Sequence, residues 1–196
     1  MATADRAATS VARPKRADAR RNEKSLLDAA AAVFVRTGVN APIRQIAGEA
    51  GVGTATIYRH FPTRADLIIA VYRHQVDSLA EAGQAPPAPG VSPYAALVQW
   101  IDRFVDFLVT KLGLAEVMQS EDPCFDPLHD YFLDSLVPVC AQLIAAAAAA
   151  GEIRADVEAL ELMRGVGNLC AGAGGNHGFD ARRLVSLLVA GLRQPA

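Results

Sequence analysis

The chain of 196 residues has room for a small domain beside a larger one. Hydrophobic residues make up 52% of it and charged residues 20%, a balance that supports a packed core and excludes a long disordered polyelectrolyte. The net charge of −2 is unevenly placed: residues 1–64 hold 11 Lys+Arg against 5 Asp+Glu and the rest hold 8 against 16, so one end attracts a polyanion that the other repels.

Apolar residues recur at three- and four-residue spacing and no segment alternates with period two, so the expected fold is all-α, with about nine helices. Residues 1–17 are polar, basic and aperiodic, which predicts a flexible arm. A first helix should follow from residue 18, with Leu27, Ala30, Ala31 and Phe34 on one face and Gly38 ending it in a left-handed cap. Pro42 suits the first turn of a second helix, whose inward face is Ile43, Ile46, Ala47 and Ala50. Gly51-Val52-Gly53 breaks it. Thr54 is expected to cap a short third helix with Ile57 and Phe61 on its buried side, and Pro62 ends that helix.

Thr63 can cap a fourth helix running through Leu67, Ile68, Val71, Tyr72, Val76 and Leu79. This divides the front of the chain into a head at 18–64 and a connecting helix at 65–82. Residues 83–93 are rich in proline and glycine and predict a flexible joint, because proline lacks the amide hydrogen that a helix needs. A body at 94–196 follows. It should hold a helix from Tyr94 to about Leu112, a short one from Ala115 to Gln119, and one from Asp126-Pro127 to Gly151 kinked at Pro138. Asp156 and Asp180 are expected to cap the last two, Val157 to Ala171 and Ala181 to Leu192.

Two helices joined by a short glycine-containing turn, with the small Ala47 where they cross, fit a helix-turn-helix. At 100° per residue, with Ile57 and Phe61 inward, Ala55 and Arg59 point outward, flanked by Thr56 and Tyr58. That face suits a DNA major groove: arginine for guanine O6 and N7, threonine for hydrogen bonds, an alanine methyl for thymine. Tyr58, His60, Arg64, Arg44 and Arg20 or Arg21 are candidate phosphate contacts. An ordinary three-helix bundle with a solvated arginine has the same pattern.

The run Ile43-Arg44-Gln45-Ile46-Ala47, then Ala50-Gly51-Val52-Gly53-Thr54, then Ile57-Tyr58-Arg59-His60-Phe61, resembles the N-terminal signature of the TetR family of bacterial regulators. Phe34-Val35-Arg36-Thr37-Gly38 and Arg64-Ala65-Asp66-Leu67 resemble it too, so the likeness covers about residues 20–72. The resemblance implies that Tyr58 and His60 contact phosphates, that Thr54, Ala55, Thr56 and Arg59 face the groove, and that Arg64 stands where the family usually has lysine. Gly53 departs from the serine common there. The family further implies a repressor of double-stranded operator DNA, relieved by a small molecule, and a homodimer joined through two terminal helices.

For that interface the candidates are Gly165, Gly167, Leu184, Leu187, Leu188 and Leu192, which serve equally well as intramolecular core. An effector pocket would draw on Trp100, Phe104, Phe107, Met118, Phe125, Tyr131, Phe132 and Cys140, and these suggest a largely apolar effector. The same aromatics at helical spacing also describe packed core. Control by a protein partner, or by nothing, is the alternative.

No run reaches the roughly 20 apolar residues of a membrane span, and the basic start lacks the apolar block of a secretory signal, so a cytoplasmic protein without membrane contact is expected. Cys124, Cys140 and Cys170 lack C-x-x-C spacing, and Asp126, His129 and Asp130 read as a helix start rather than a metal site. No P-loop, H-E-x-x-H, G-x-S-x-G or dinucleotide fingerprint occurs, so neither an enzyme nor a cofactor is expected.

Overall fold

A computed structural model describes residues 9–118, 127–171 and 180–193, with side chains described for 21–108, 127–171 and 180–193. Among the described residues there are eight helices: α1 Thr9–Thr37, α2 Ile43–Ala50, α3 Thr54–His60, α4 Arg64–Gln84, α5 Pro93–Met118, α6 Pro127–Ala149, α7 Ala159–Ala171 and α8 Ala181–Ala190. Among the described residues the only strand-like feature is a single antiparallel bridge between Ile153 and Arg193. The all-α class is as expected, with eight helices among the described residues where about nine were expected. The helices expected at Tyr94 to Leu112 and from Ala115 are one continuous α5, which passes through Gly113; glycine costs a helix about 1 kcal/mol but does not break it. At the other end α1 begins nine residues before residue 18. Residues 9–17 have no apolar stripe and include Pro14, so neither periodicity nor propensity marks them as helix.

The chain divides into two compact units, residues 1–71 and 72–196, with the boundary inside α4. In the first, α1 packs on α2 and α2 on α3. Leu26, Leu27, Ala30, Ala31, Val33 and Phe34 form the buried face of α1, and Gly38 ends the helix at φ 84° with its amide donating to the Phe34 carbonyl at 2.9 Å. Ile46 and Ala47 are buried on α2, Ile57 on α3, and Phe61 just beyond it. Each large apolar side chain removed from water contributes about 1.5–3 kcal/mol, so this small unit depends on nearly every one. Its last helix starts in a capping box: the Asp66 carboxylate accepts from the Thr63 amide at 2.9 Å while the Thr63 hydroxyl accepts from the Asp66 amide at 3.1 Å.

In the second unit α5 packs on α6, α7 and α8, and α7 packs on α6 and α8. Phe104, Phe107 and Phe132 stack mutually and Trp100 stacks on Phe104, with ring centroids 5.7 to 6.3 Å apart, and Tyr72 meets Phe107 edge-on at 5.7 Å. The Trp100 indole donates to the Leu79 carbonyl at 3.0 Å, which gives the buried N–H its partner. Glu152, in the turn after α6, accepts from the Tyr94 amide at 2.6 Å and so caps α5. Asp180 caps α8 through the Arg183 amide at 3.0 Å, as the sequence suggests. Asp156 does not cap α7. That helix starts three residues later, and Asp156 is paired with Arg154.

The helix α6 continues through Pro138, so the Asp134 carbonyl loses its usual amide donor. By length and composition alone this helix is apolar enough to cross a membrane, a test that the core helix of a globular protein also passes. It is buried along one side, at Leu128, Phe132, Leu136, Val139, Cys140, Ile144 and Ala147, and packs on α5 and α7.

Candidate nucleic-acid interface

The geometry of the head is set by its turns. Gly51 ends α2 in the left-handed region at φ 66°, the Val52 amide reaches back to the Ala47 carbonyl at 3.0 Å, and the Gly51 amide reaches Gly48 at 3.3 Å. This Schellman arrangement satisfies the last carbonyls of α2 and turns the chain within three residues. Gly53, at φ −76° and ψ 148°, is the N-cap of α3. The cap assigned to Thr54 is therefore corrected: Thr54 is the first helical residue, and α3 has no side-chain cap hydrogen bond. Thr54 is exposed.

Along α3, Ile57 is 1% exposed, while Thr54, Ala55, Tyr58, Arg59 and His60 are exposed and Thr56 is half-buried. The helix thus presents one continuous outward strip of hydroxyl, methyl, phenol, guanidinium and imidazole groups. Tyr58 stands 53% exposed, with its hydroxyl end open to a partner outside the chain. Arg44 is exposed on α2 and Arg21 on α1, whereas the Arg20 side chain lies outside the described set. Two exposed contacts brace α2 against α1: Arg36 pairs with Glu49 at 2.8 Å, and Gln45 donates to the Thr37 hydroxyl at 3.0 Å.

Arg64 is placed differently from the other basic candidates. Its guanidinium is half-buried and donates to two backbone carbonyls, those of Val39 and Ala41. No residue pattern marks a backbone carbonyl, so this bond was not visible in the sequence. The spacing of Asp66 from Thr63, by contrast, is itself the capping-box signal in the sequence.

In the body, the expected pocket residues Trp100, Phe104, Phe107, Phe132 and Cys140 are all buried and form a packed core. Tyr131 is half-buried, hydrogen-bonded to Asp77, with the Arg73 guanidinium 5.3 Å over its ring. The Met118 side chain and Phe125 lie outside the described residues. An open groove of about 360 Å³ runs between α4 and α6, lined by Asp77, Glu81, Asp134 and Ser135 among others, and contains none of the expected pocket residues. No cluster of three or more His, Cys, Asp or Glu suited to a metal occurs among the described residues.

The apolar residues of α8 and the turn after it separate by face. Val185, Val189 and Leu192 are buried, Leu184 and Leu188 are half-buried, and Leu187 is 61% exposed. Gly165 is in van der Waals range of Leu188, since a β-carbon there would lie 3.4 Å from its Cδ2, and nothing lies within 4 Å of one on Gly167.

A short exposed polar helix set by a glycine turn on a buried partner helix, ahead of a separate helical unit, defines a helix-turn-helix DNA-binding regulator. Residues 26–71 match the model of bacterial regulatory proteins of the tetR family, and residues 92–194 match the C-terminal domain of SbtR-like transcriptional regulators. The chain belongs to the TetR family of bacterial transcriptional regulators. A TetR transcriptional regulator from Streptomyces coelicolor is 33% identical with a TM-score of 0.74, over 89% of this chain and 99% of its own. A TetR regulatory protein from Mycobacterium vanbaalenii is 30% identical with a TM-score of 0.66, over 92% and 100%. A transcriptional regulator from Saccharomonospora viridis in complex with choline shares the fold at 23% identity, TM-score 0.61, over 89% and 96%.

Proposed function

We propose that the protein is a dimeric repressor that grips operator DNA through α3 and releases it when a small, largely apolar effector binds the second unit. The observation that carries the DNA reading is the outward strip of α3. Arg59 is the side chain suited to guanine in the major groove, Thr54, Ala55 and Thr56 flank it, and Tyr58, His60 and Arg44 stand ready for phosphate. One head contacts too little DNA for high specificity, so two are needed on successive half-sites. The exposed Leu187, beside the half-buried Leu184, Leu188 and Gly165, suits a two-fold contact. Such a regulator meets its operator in the cytoplasm.

Effector response is supported by the choline-bound neighbour and by the aromatic composition of the second unit. Release then follows from a shift in population toward a head spacing that no longer fits the half-sites. The stacking of Trp100, Phe104, Phe107 and Phe132 favours a second reading, in which a protein partner or no effector controls the regulator. Selection of bound sequences from random DNA, followed by titration of Arg59→Ala on the best one, tests the first step. A loss of about 1–3 kcal/mol with relaxed sequence preference is expected; unchanged affinity and preference remove Arg59 from the groove. A compound panel scored by melting temperature and by operator release then separates effector control from its alternative.

A further inference from the structure

The α1–α2 loop, residues 38–42, contains two carbonyls, of Val39 and Ala41, that no backbone amide reaches among the described residues. Both belong to buried residues, 2% and 1% exposed, and an unmet buried carbonyl is costly. Arg64 meets both. One guanidinium nitrogen donates to Val39 and the other to Ala41 at 2.9 Å, so the planar fork spans acceptors two residues apart. The positive charge also lies just past the C-terminal end of α1, where carbonyl dipoles favour a cation.

The loop held this way decides where α2 begins. Its own turn closes through the Ala41 amide to Gly38 at 3.1 Å, and α2 then starts with the Gln45 amide on the Pro42 carbonyl at 2.9 Å. From α2 the Gly51 turn leads directly to α3. Arg64 itself occupies the first turn of α4, secured by the Thr63–Asp66 cap. We infer that Arg64 is a positioning residue: it seats α2, and through α2 the DNA-facing α3, by clamping the α1–α2 loop, and makes no phosphate contact. The inference rests on the reading of α3 as the DNA-binding helix.

The test uses the full chain, its selected operator duplex, and the variants Arg64→Ala and Arg64→Lys. Affinity is measured across a salt series and backbone exposure by hydrogen exchange. A clamp predicts about ten-fold weaker binding in both variants with the salt slope unchanged, because no counterion-releasing contact is lost. It also predicts faster exchange in peptides covering Val39 to Ala50, with peptides of α7 unaffected. Lysine is expected not to rescue, because its ammonium lacks the two separated, coplanar nitrogens that reach the two carbonyls. A slope reduced by about one in Arg64→Ala and restored in Arg64→Lys overturns the inference in favour of phosphate contact. Unchanged affinity in both variants overturns it as well. If Arg64→Ala does not fold, Arg64→Lys carries the same comparison. Wild-type protein that ignores all duplexes defeats the DNA reading instead, and the exchange experiment still judges the clamp: full protection in the variants overturns it.

Discussion

Gly83 on α4 lies so close to Trp100 on α5 that a β-carbon on the glycine would stand 2.7 Å from the indole nitrogen, and 2.3 Å from Cγ1 of Val139 on α6. Three helices meet at a point where only hydrogen fits. The indole is fixed there by its bond to the Leu79 carbonyl and cannot simply rotate away. Gly83→Ala should therefore destabilise the protein by about 1–2 kcal/mol, since overpacking costs about 1–3 kcal/mol and exceeds the gain in helix propensity of about 1 kcal/mol. Denaturant midpoints of the two proteins measure this. A variant as stable as the parent would mean that the helices separate at little cost.

Gly83 also shows where sequence reading stops. Next to three prolines it reads as the start of a joint, while α4 extends through it to Gln84, and its purpose is a close approach by residues 17 and 56 positions away. The head was more legible because its signals are local. Pro42, Gly51-Val52-Gly53, Pro62 and Thr63 each act on the backbone within a turn of themselves, and the burial of Ile57 fixes which side of α3 faces out. In the body, Trp100, Phe104, Phe107 and Phe132 have the same spacing whether they line a cavity or fill one. Only the packing tells the two apart.

Tyr72 is 1% exposed, and its hydroxyl has no hydrogen-bond partner among the described residues. Desolvation there also pushes its pKa up. Removing an unpaired buried hydroxyl eliminates a desolvation cost while keeping the ring against Phe107. Tyr72→Phe is therefore expected to raise stability by about 1 kcal/mol, read as a higher melting temperature. A lower melting temperature would show that the hydroxyl is satisfied.

Cys140 is fully buried, its sulfur 4.0 Å from the Ala159 carbonyl, and burial pushes its thiol from about 9 up to about 12. The folded thiol keeps its proton where the unfolded one releases it, so unfolding is favoured by alkali. This contribution is fully present below pH 9 and is lost as pH rises from about 9 toward 12. Urea midpoints should decline across that window, and less steeply in Cys140→Ala. At neutral pH the folded thiol should resist alkylation and react once the chain is unfolded. Rapid labelling of Cys140 in the folded protein, or equal slopes for the two proteins, would contradict the assignment.

Leu187 is the most exposed of the α8 leucines, and its neighbours Leu184 and Leu188 are only half covered within one chain. If two copies pair through this face, each leucine is buried twice over by symmetry, at about 1.5–3 kcal/mol per side chain. Leu187→Asp places two carboxylates in that contact, where like charges and desolvation both oppose association. Sedimentation should show a dimer for the parent and a monomer for the variant at the same micromolar concentration. Because the side chain is solvated in the single chain, the variant's helical content should be unchanged. Operator affinity should fall with the loss of the paired head. A variant that remains dimeric would move the interface away from this face, and the two leucines half-buried beside it would then be explained by packing within one chain.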